Sequence, residues 1–147
     1  MDRETQSILN DVNRAIIKCR GAYSMWAGIH GVNYHEMLVL YTIREYGYCT
    51  QKQICDSYIL PKQTIHNVIT AMRKNGVLVY DTEKRRGREK AFVLSAKGKD
   101  YAAEFLYSLD VIESHALEAL GKENLRTLTD LLFAFDSALN TALEETR

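Results

Sequence analysis

The apolar positions near the start of the chain recur at spacings of three and four. Leu9, Val12, Ile16, Cys19, Tyr23 and Trp26 form one stripe, which predicts a long amphipathic first helix. Gly28 and Gly31 end it. Asn33 followed three residues later by Glu36 reads as a capping box. It opens a second helix through Met37, Leu40, Tyr41 and Ile43 to about Tyr46, where Gly47 closes it. Thr50 with Gln53 repeats the signal and predicts a short third helix to about Tyr58. Pro61 suits the first turn of a fourth helix, because its missing N–H would be unpaired there in any case. Asn75-Gly76 is a stop signal for that helix.

The period then changes. Val77 to Tyr80 and Ala91 to Leu94 are β-prone and flank a polar, basic stretch around Gly87, a pattern that predicts a two-stranded hairpin with a charged tip. Ser95 caps a fifth helix that runs through Tyr101, Phe105, Leu109 and Ile112 to about Leu120. Gly121 breaks it. A last helix carries Leu125, Leu128, Leu132, Phe135, Leu139 and Ala142 at alternating spacings of three and four. Two short helices joined by a tight connection and followed by a basic hairpin make a winged helix-turn-helix. The expected fold is mainly α with a small β-hairpin wing, a single domain over residues 1–147 with the winged core at 32–99.

The fourth helix is the informative one. Ile65, Val68, Ile69 and Met72 share one face and read as core. Gln63, His66, Asn67, Thr70 and Lys74 share the opposite face, with Lys62 and Arg73 beside them and Thr64 at its edge. Polar helix faces are commonly just solvated, and such faces usually mix acids with bases. Here no acid occurs between Asp56 and Asp81. Gln and Asn can pair bidentately with adenine, and Lys and Arg suit guanine or phosphate. The hairpin tip adds Lys84, Arg85, Arg86, Arg88 and Lys90. A charge run is ordinarily mobile surface, but this one follows the helix at once and its strands fix its direction. Arginine so placed can enter a minor groove.

Charge changes the picture more than composition does. The chain of 147 residues is neutral overall, with 19 basic and 19 acidic residues. Residues 49–99 carry eleven Lys/Arg against four Asp/Glu, residues 100–147 carry three against ten, and residues 1–48 balance at five each. A locally basic surface attracts phosphates whatever the whole-chain sum. An acidic remainder discourages adhesion elsewhere. Cys19, Cys49 and Cys55 are too few and too irregular for a disulfide framework. The separation of Cys49 and Cys55 matches no paired metal-ligand spacing, so buried structural thiols are expected, with no metal and no cofactor. No nucleophile elbow, P-loop or dinucleotide glycine pattern is present, which argues against an enzyme. There is no apolar run of membrane-spanning length and no signal-peptide pattern at the start. Cytoplasm is the expected compartment. A winged helix reused as a protein-interaction module without DNA is the alternative reading; the acid-free face of residues 62–74 favours DNA.

From Asn33 to Lys99 the chain resembles the MarR family of regulators. The segments carrying the resemblance are YHEMLVLYTI, TQKQICDSYILPKQTIHNVITAMRKNGVL and, after the wing, FVLSAKGK. Leu94-Ser95-Ala96-Lys97-Gly98 is similar to the family's Leu-Thr-Glu-Lys-Gly. Arg88 stands where the family's wing-tip arginine is expected. The family often has an aspartate two residues earlier, where this chain has Arg86. Aligned instead from Asp81, the wing is about two residues longer than usual. Which arginine meets DNA is left open between these alignments.

The resemblance implies a homodimer on double-stranded DNA whose first and last helices pair. Independently, the seams Leu9, Val12 and Ile16 and Leu125, Leu128, Leu132, Phe135 and Leu139 are of the kind that seeks a helical partner. Packing within one chain is the plainer alternative. The resemblance further implies a small-molecule or redox effector between the terminal helices and the winged core. Tyr23, Trp26, His30, Tyr34, Met37 and Tyr41 are the candidates to line such a pocket, although an aromatic stripe of helical spacing is more often core. Some relatives sense oxidants through a cysteine in the first helix; Cys19 lies there at a different position and reads equally as inert core.

Overall fold

The computed structural model describes residues 1–86 and 89–147, with the side chains at 82 and 84–86 also outside the description. The described residues form α1 (Arg3–Ile29), α2 (Tyr34–Tyr46), β1 (Cys49–Thr50), α3 (Gln51–Tyr58), α4 (Lys62–Lys74), β2 (Leu78–Arg86), β3 (Glu89–Leu94), α5 (Ala96–Leu120) and α6 (Lys122–Glu145). They divide into two compact units, Met1–Phe105 and Leu106–Arg147.

The helix boundaries follow local chemistry. The Asp2 carboxylate accepts from the Thr5 N–H at 2.9 Å and starts α1. Asn33 Oδ1 accepts from the Glu36 N–H at 2.8 Å and starts α2. Thr50 and Gln53 form the full reciprocal box at the start of α3, which satisfies two otherwise unpaired backbone donors. Gly47 closes α2 at φ +79°, a left-handed conformation that glycine adopts without steric cost. Pro61 lies one residue before the expected place: it is the N-cap, and α4 begins at Lys62.

Two features of the sheet differ from expectation. It has three strands in the order β1-β3-β2, all antiparallel. The added strand pairs Cys49 with Phe92 and Thr50 with Ala91. Two residues are too short to show alternation, so nothing in the sequence marks them. The wing strands are also longer than the β-prone runs, because ladder bonds come from the backbone and continue into polar sequence. The ladder is regular from Leu78–Leu94 to Asp81–Ala91 and shifts register before Arg86–Glu89.

In the first unit the core is built on α2, where Met37, Leu38, Val39, Leu40 and Ile43 are all buried. Ile54, Ile65, Ile69 and Met72 join them from α3 and α4, with Leu78, Ala91 and Phe92 from the sheet. Tyr101 of α5 donates its hydroxyl to Glu36 at 2.9 Å. Burial pushes the Glu36 carboxyl above its ordinary pKa, partly offset by that bond. The second unit is the far part of α5, the break at Gly121 with φ +84° and α6. Leu109 is buried, whereas no residue of α6 is.

A junction of four residues joins α4, the wing and α5. Ser95 Oγ donates to the Gly76 carbonyl at 2.5 Å and accepts from the Gly98 N–H at 2.9 Å. The Ser95 N–H donates to the Val77 carbonyl at 3.0 Å. Gly98 is buried, and a Cβ there would lie 2.1 Å from the Val77 carbonyl oxygen and 2.9 Å from its carbon. The obstacle is backbone and cannot rotate aside. Gly98→Ala is therefore expected to destabilise the chain by about 3 kcal/mol, the upper part of the range for overpacking. Urea unfolding measures it, and a loss below about 1 kcal/mol would mean that the junction yields easily.

Candidate nucleic-acid interface

Amphipathicity sets how α4 is presented. Ile65, Ile69 and Met72 are buried and Val68 is half-buried, so the helix turns its other side to solvent. Lys62, Gln63, His66, Asn67, Thr70, Arg73 and Lys74 are all exposed, and Thr64 is half-buried at the edge. Gln63 Nε2 donates to Asn67 Oδ1 at 2.8 Å. The two amides thus lie side by side one turn apart, near the helix N-terminus. Gln51 of α3 donates Nε2 to the Lys62 carbonyl at 2.9 Å and anchors the start of α4. Lys52 and Asp56 pair along the exposed side of α3, so that acid is occupied by a neighbour on its own helix.

Between α3, α4 and the base of the wing lies a hollow of about 590 Å³. Lys52, Lys62, His66, Arg73 and Lys90 bring basic groups to its wall, against the acids Asp56 and Glu89. Arg73 lies against the wing: its Cζ is 3.8 Å from the centre of the Tyr80 ring, and Nη1 donates to the Tyr80 hydroxyl at 2.7 Å. Lys90 Nζ is 5.3 Å from the same ring. Lys84, Arg85 and Arg86 fall on β2, and nothing is described of their side chains. Arg88 lies outside the described residues.

The candidates for an effector pocket are dispersed among different local contacts. Trp26 lies 4.3 Å from His30 and 4.7 Å from Phe105, centre to centre. Tyr34 lies under Arg20 and beside His35, and Arg44 covers Tyr41. Tyr23 is half-buried. Met37 is core, at 1% exposure, with almost no surface to offer a ligand. The cysteines also divide. Cys49 is buried, and desolvation pushes its thiol up to about 12. Cys55 is only half-buried and lines the hollow. Cys19 is exposed on α1 rather than core. Among the described residues no group of three or more His, Cys, Asp or Glu is placed to hold a metal.

Two residues of the site escape sequence reasoning. Tyr80 sits in a β-prone run and reads as an ordinary strand residue, yet its ring carries Arg73. Ile59, at the turn into α4, adopts φ +51° and ψ +57° and is 80% exposed. A β-branched residue in the left-handed region is strained. Ile59 is the C-cap of α3, its N–H and that of Leu60 both donating to the Cys55 carbonyl, a left-handed position that asparagine tolerates better. Ile59→Asn is expected to stabilise the chain by about 1 kcal/mol, because the left-handed cost falls and little burial is lost. Thermal unfolding tests this, and a lowered midpoint would show that the isoleucine side chain contributes more than the strain costs.

Comparison with known proteins agrees with this geometry. Residues 32–98 match the family described as winged helix DNA-binding domain. The fold is similar to that of NMB1585, a MarR family regulator from Neisseria meningitidis, at 25% identity and a TM-score of 0.85, covering 95% of this chain and 98% of that one. It is also similar to a MarR family transcriptional regulator from Listeria monocytogenes complexed with 26mer DNA, at 17% identity and TM-score 0.69, covering 89% and 87%. Staphylococcus aureus MarR in complex with salicylate and kanamycin aligns at 13% identity and TM-score 0.70, over 95% of each chain. No curated protein sequence matches the chain. Residues 32–98 thus carry a winged helix DNA-binding domain, and over nearly its whole length the chain is similar in fold to a MarR family regulator.

Proposed function

We propose that the chain binds double-stranded DNA sequence-specifically as a homodimer and represses transcription from a pseudo-palindromic operator in the cytoplasm. The observation that carries this reading is the outer face of α4, wholly exposed, free of acids and flanked by a basic hairpin. In this reading α4 enters the major groove, and Gln63 and Asn67 read base edges. Lys62, His66, Thr70 and Lys74 contact the backbone or neighbouring bases, and Thr64 supports them from the edge. Arg73, Lys84, Arg85, Arg86, Arg88 and Lys90 face phosphate or the adjacent minor groove. Occupancy of a promoter is enough to repress it.

The dimer is supported by what the terminal helices leave uncovered. Leu128, Leu132 and Leu139 are exposed on α6, and Ile8, Ile16 and Ile17 on α1. Long helices that keep apolar side chains in water call for a partner. Two copies double the reader, with half-sites about 10 base pairs apart so that both helices meet one side of the duplex. A small-molecule effector is supported by the relative bound to salicylate and kanamycin. Its site in this chain is proposed among Tyr23, Trp26, His30, Tyr34 and Tyr41, without Met37.

Selection from a random duplex library tests the reading and supplies the operator. On the best selected site, Gln63→Ala or Asn67→Ala is expected to cost about 1–3 kcal/mol, with much smaller losses on random DNA. Equal losses on both would reassign these amides to backbone positioning. Assembly has its own test. Burying each seam side chain contributes about 1.5–3 kcal/mol, so Leu132→Asp with Phe135→Asp is expected to leave monomers or unfolded chain without specific binding. Light scattering at micromolar concentration reports it, and a wild-type monomer protecting one asymmetric half-site would refute the dimer.

A further inference from the structure

The end of the recognition helix and the base of the wing meet at one side-chain pair. Arg73 is the penultimate residue of α4. Its guanidinium lies 3.8 Å from the centre of the Tyr80 ring and donates to the Tyr80 hydroxyl at 2.7 Å. Tyr80 in turn lies 5.1 Å from Phe92, its partner across the ladder. Phe92 is buried, so the stack runs from the exposed helix end into the core. A second hollow, of about 480 Å³, shares Thr70, Arg73 and Tyr80 with the first. The pair stands in the wall of both.

Its place in the ladder gives it a task. Regular pairing ends at Asp81–Ala91, one residue beyond Tyr80, and resumes only at Arg86–Glu89. Between these pairs β2 takes five steps where β3 takes two. A bulge of that kind bends a strand and raises its local twist. The regular ladder below it, with the Tyr80–Phe92 pair next to its last rung, therefore sets the course on which β2 enters the basic stretch.

The geometry points to Arg73 and Tyr80 as a latch that fixes the wing's angle to the recognition helix, which makes Tyr80 an uncharged positioning residue for DNA binding. This rests on the DNA-binding reading above. An arginine held by ring face and hydroxyl together loses little further freedom when DNA arrives, and its planar fork is what makes both contacts possible. Helix and wing then meet the duplex as one preorganised surface, and the entropy of ordering them is already spent in the free protein.

The experiment uses the full chain, a fluorescent 30-base-pair duplex of random sequence and the best selected site, each titrated across a salt series. Tyr80→Leu and Arg73→Gln are each expected to weaken binding about tenfold. The double variant is expected to match the weaker single within about twofold, as for two halves of one interaction. Tyr80→Leu removes no charge, yet it should flatten the slope of log affinity against log salt by about one, because misdirected wing cations no longer reach phosphate. Arg73→Lys keeps the charge without the fork and should recover only part of the affinity. Melting curves establish that each variant is folded, since lost stability alone leaves the salt slope of the folded fraction unchanged.

The latch is overturned if the two losses add, if Arg73→Lys restores full binding, or if Tyr80→Leu binds as wild type while Arg73→Gln flattens the slope. Arg73 would then be an independent phosphate contact. Hydrogen exchange without DNA separates this from failure of the functional reading. Both single variants should speed exchange of the ladder amides between Leu78 and Asp81, and unchanged exchange refutes the latch whatever DNA does. Faster exchange in a protein whose wild type binds neither duplex supports the latch and overturns the DNA-binding reading.

Discussion

One serine hydroxyl ties the exit of the recognition helix to the entry of α5. Ser95 Oγ donates to the carbonyl of Gly76 and accepts from the N–H of Gly98, while its own N–H holds the Val77 carbonyl. Lys97 Nζ adds a bond to the Asn75 carbonyl at 3.0 Å. The last-turn carbonyls of Ala71, Met72 and Arg73 are met locally by the N–H groups of Asn75, Val77 and Gly76, and a segment some twenty residues later satisfies the carbonyls of Asn75, Gly76 and Val77 just beyond the helix end. The loop between them is the wing. Closing it at its base places the wing strands against α4, and the absence of a side chain at Gly98 is what lets the two backbones approach.

The remaining geometry of the site depends on that closure. Once β2 starts at a fixed point, its third residue, Tyr80, falls beside Arg73 and pairs across the ladder with Phe92. β1 then adds to the free side of β3 and brings the Thr50 cap of α3 against the sheet. The helix preceding the recognition helix is thereby held to the same sheet as the wing. Gln51, the first residue of α3, reaches the Lys62 carbonyl at the start of α4. Both ends of the recognition helix are thus held by groups outside it, a form of preorganisation that lowers the ordering cost of binding.

Charge is arranged on the same principle of separation. The basic residues concentrate between 49 and 99, and the acids accumulate in the following helices. The terminal helices α1 and α6 meanwhile keep large apolar side chains exposed, among them Met25, Ile29, Leu131 and Phe133. No helix among the described residues is long and apolar enough to cross a membrane.

The sequence by itself determined the helices, their caps and the two faces of α4. These depend on interactions within a few residues: a side-chain oxygen reaching a backbone N–H three positions on, or an apolar residue every third or fourth place. Asn33, Thr50, Gly47 and the alternation around Ile65 and Ile69 were all legible for that reason. Only tertiary structure decided the third strand, the length of the wing and the pairing of Arg73 with Tyr80. Each joins residues of different elements, and none leaves a periodic trace. Cys19 and Met37 show the same limit from the other side. Helical spacing puts Cys19 on an apolar stripe but cannot tell whether that part of the stripe is covered, and it is exposed. Met37 satisfies the spacing of a pocket residue equally well, and it is core because α1, β1, α3 and α4 all pack against α2.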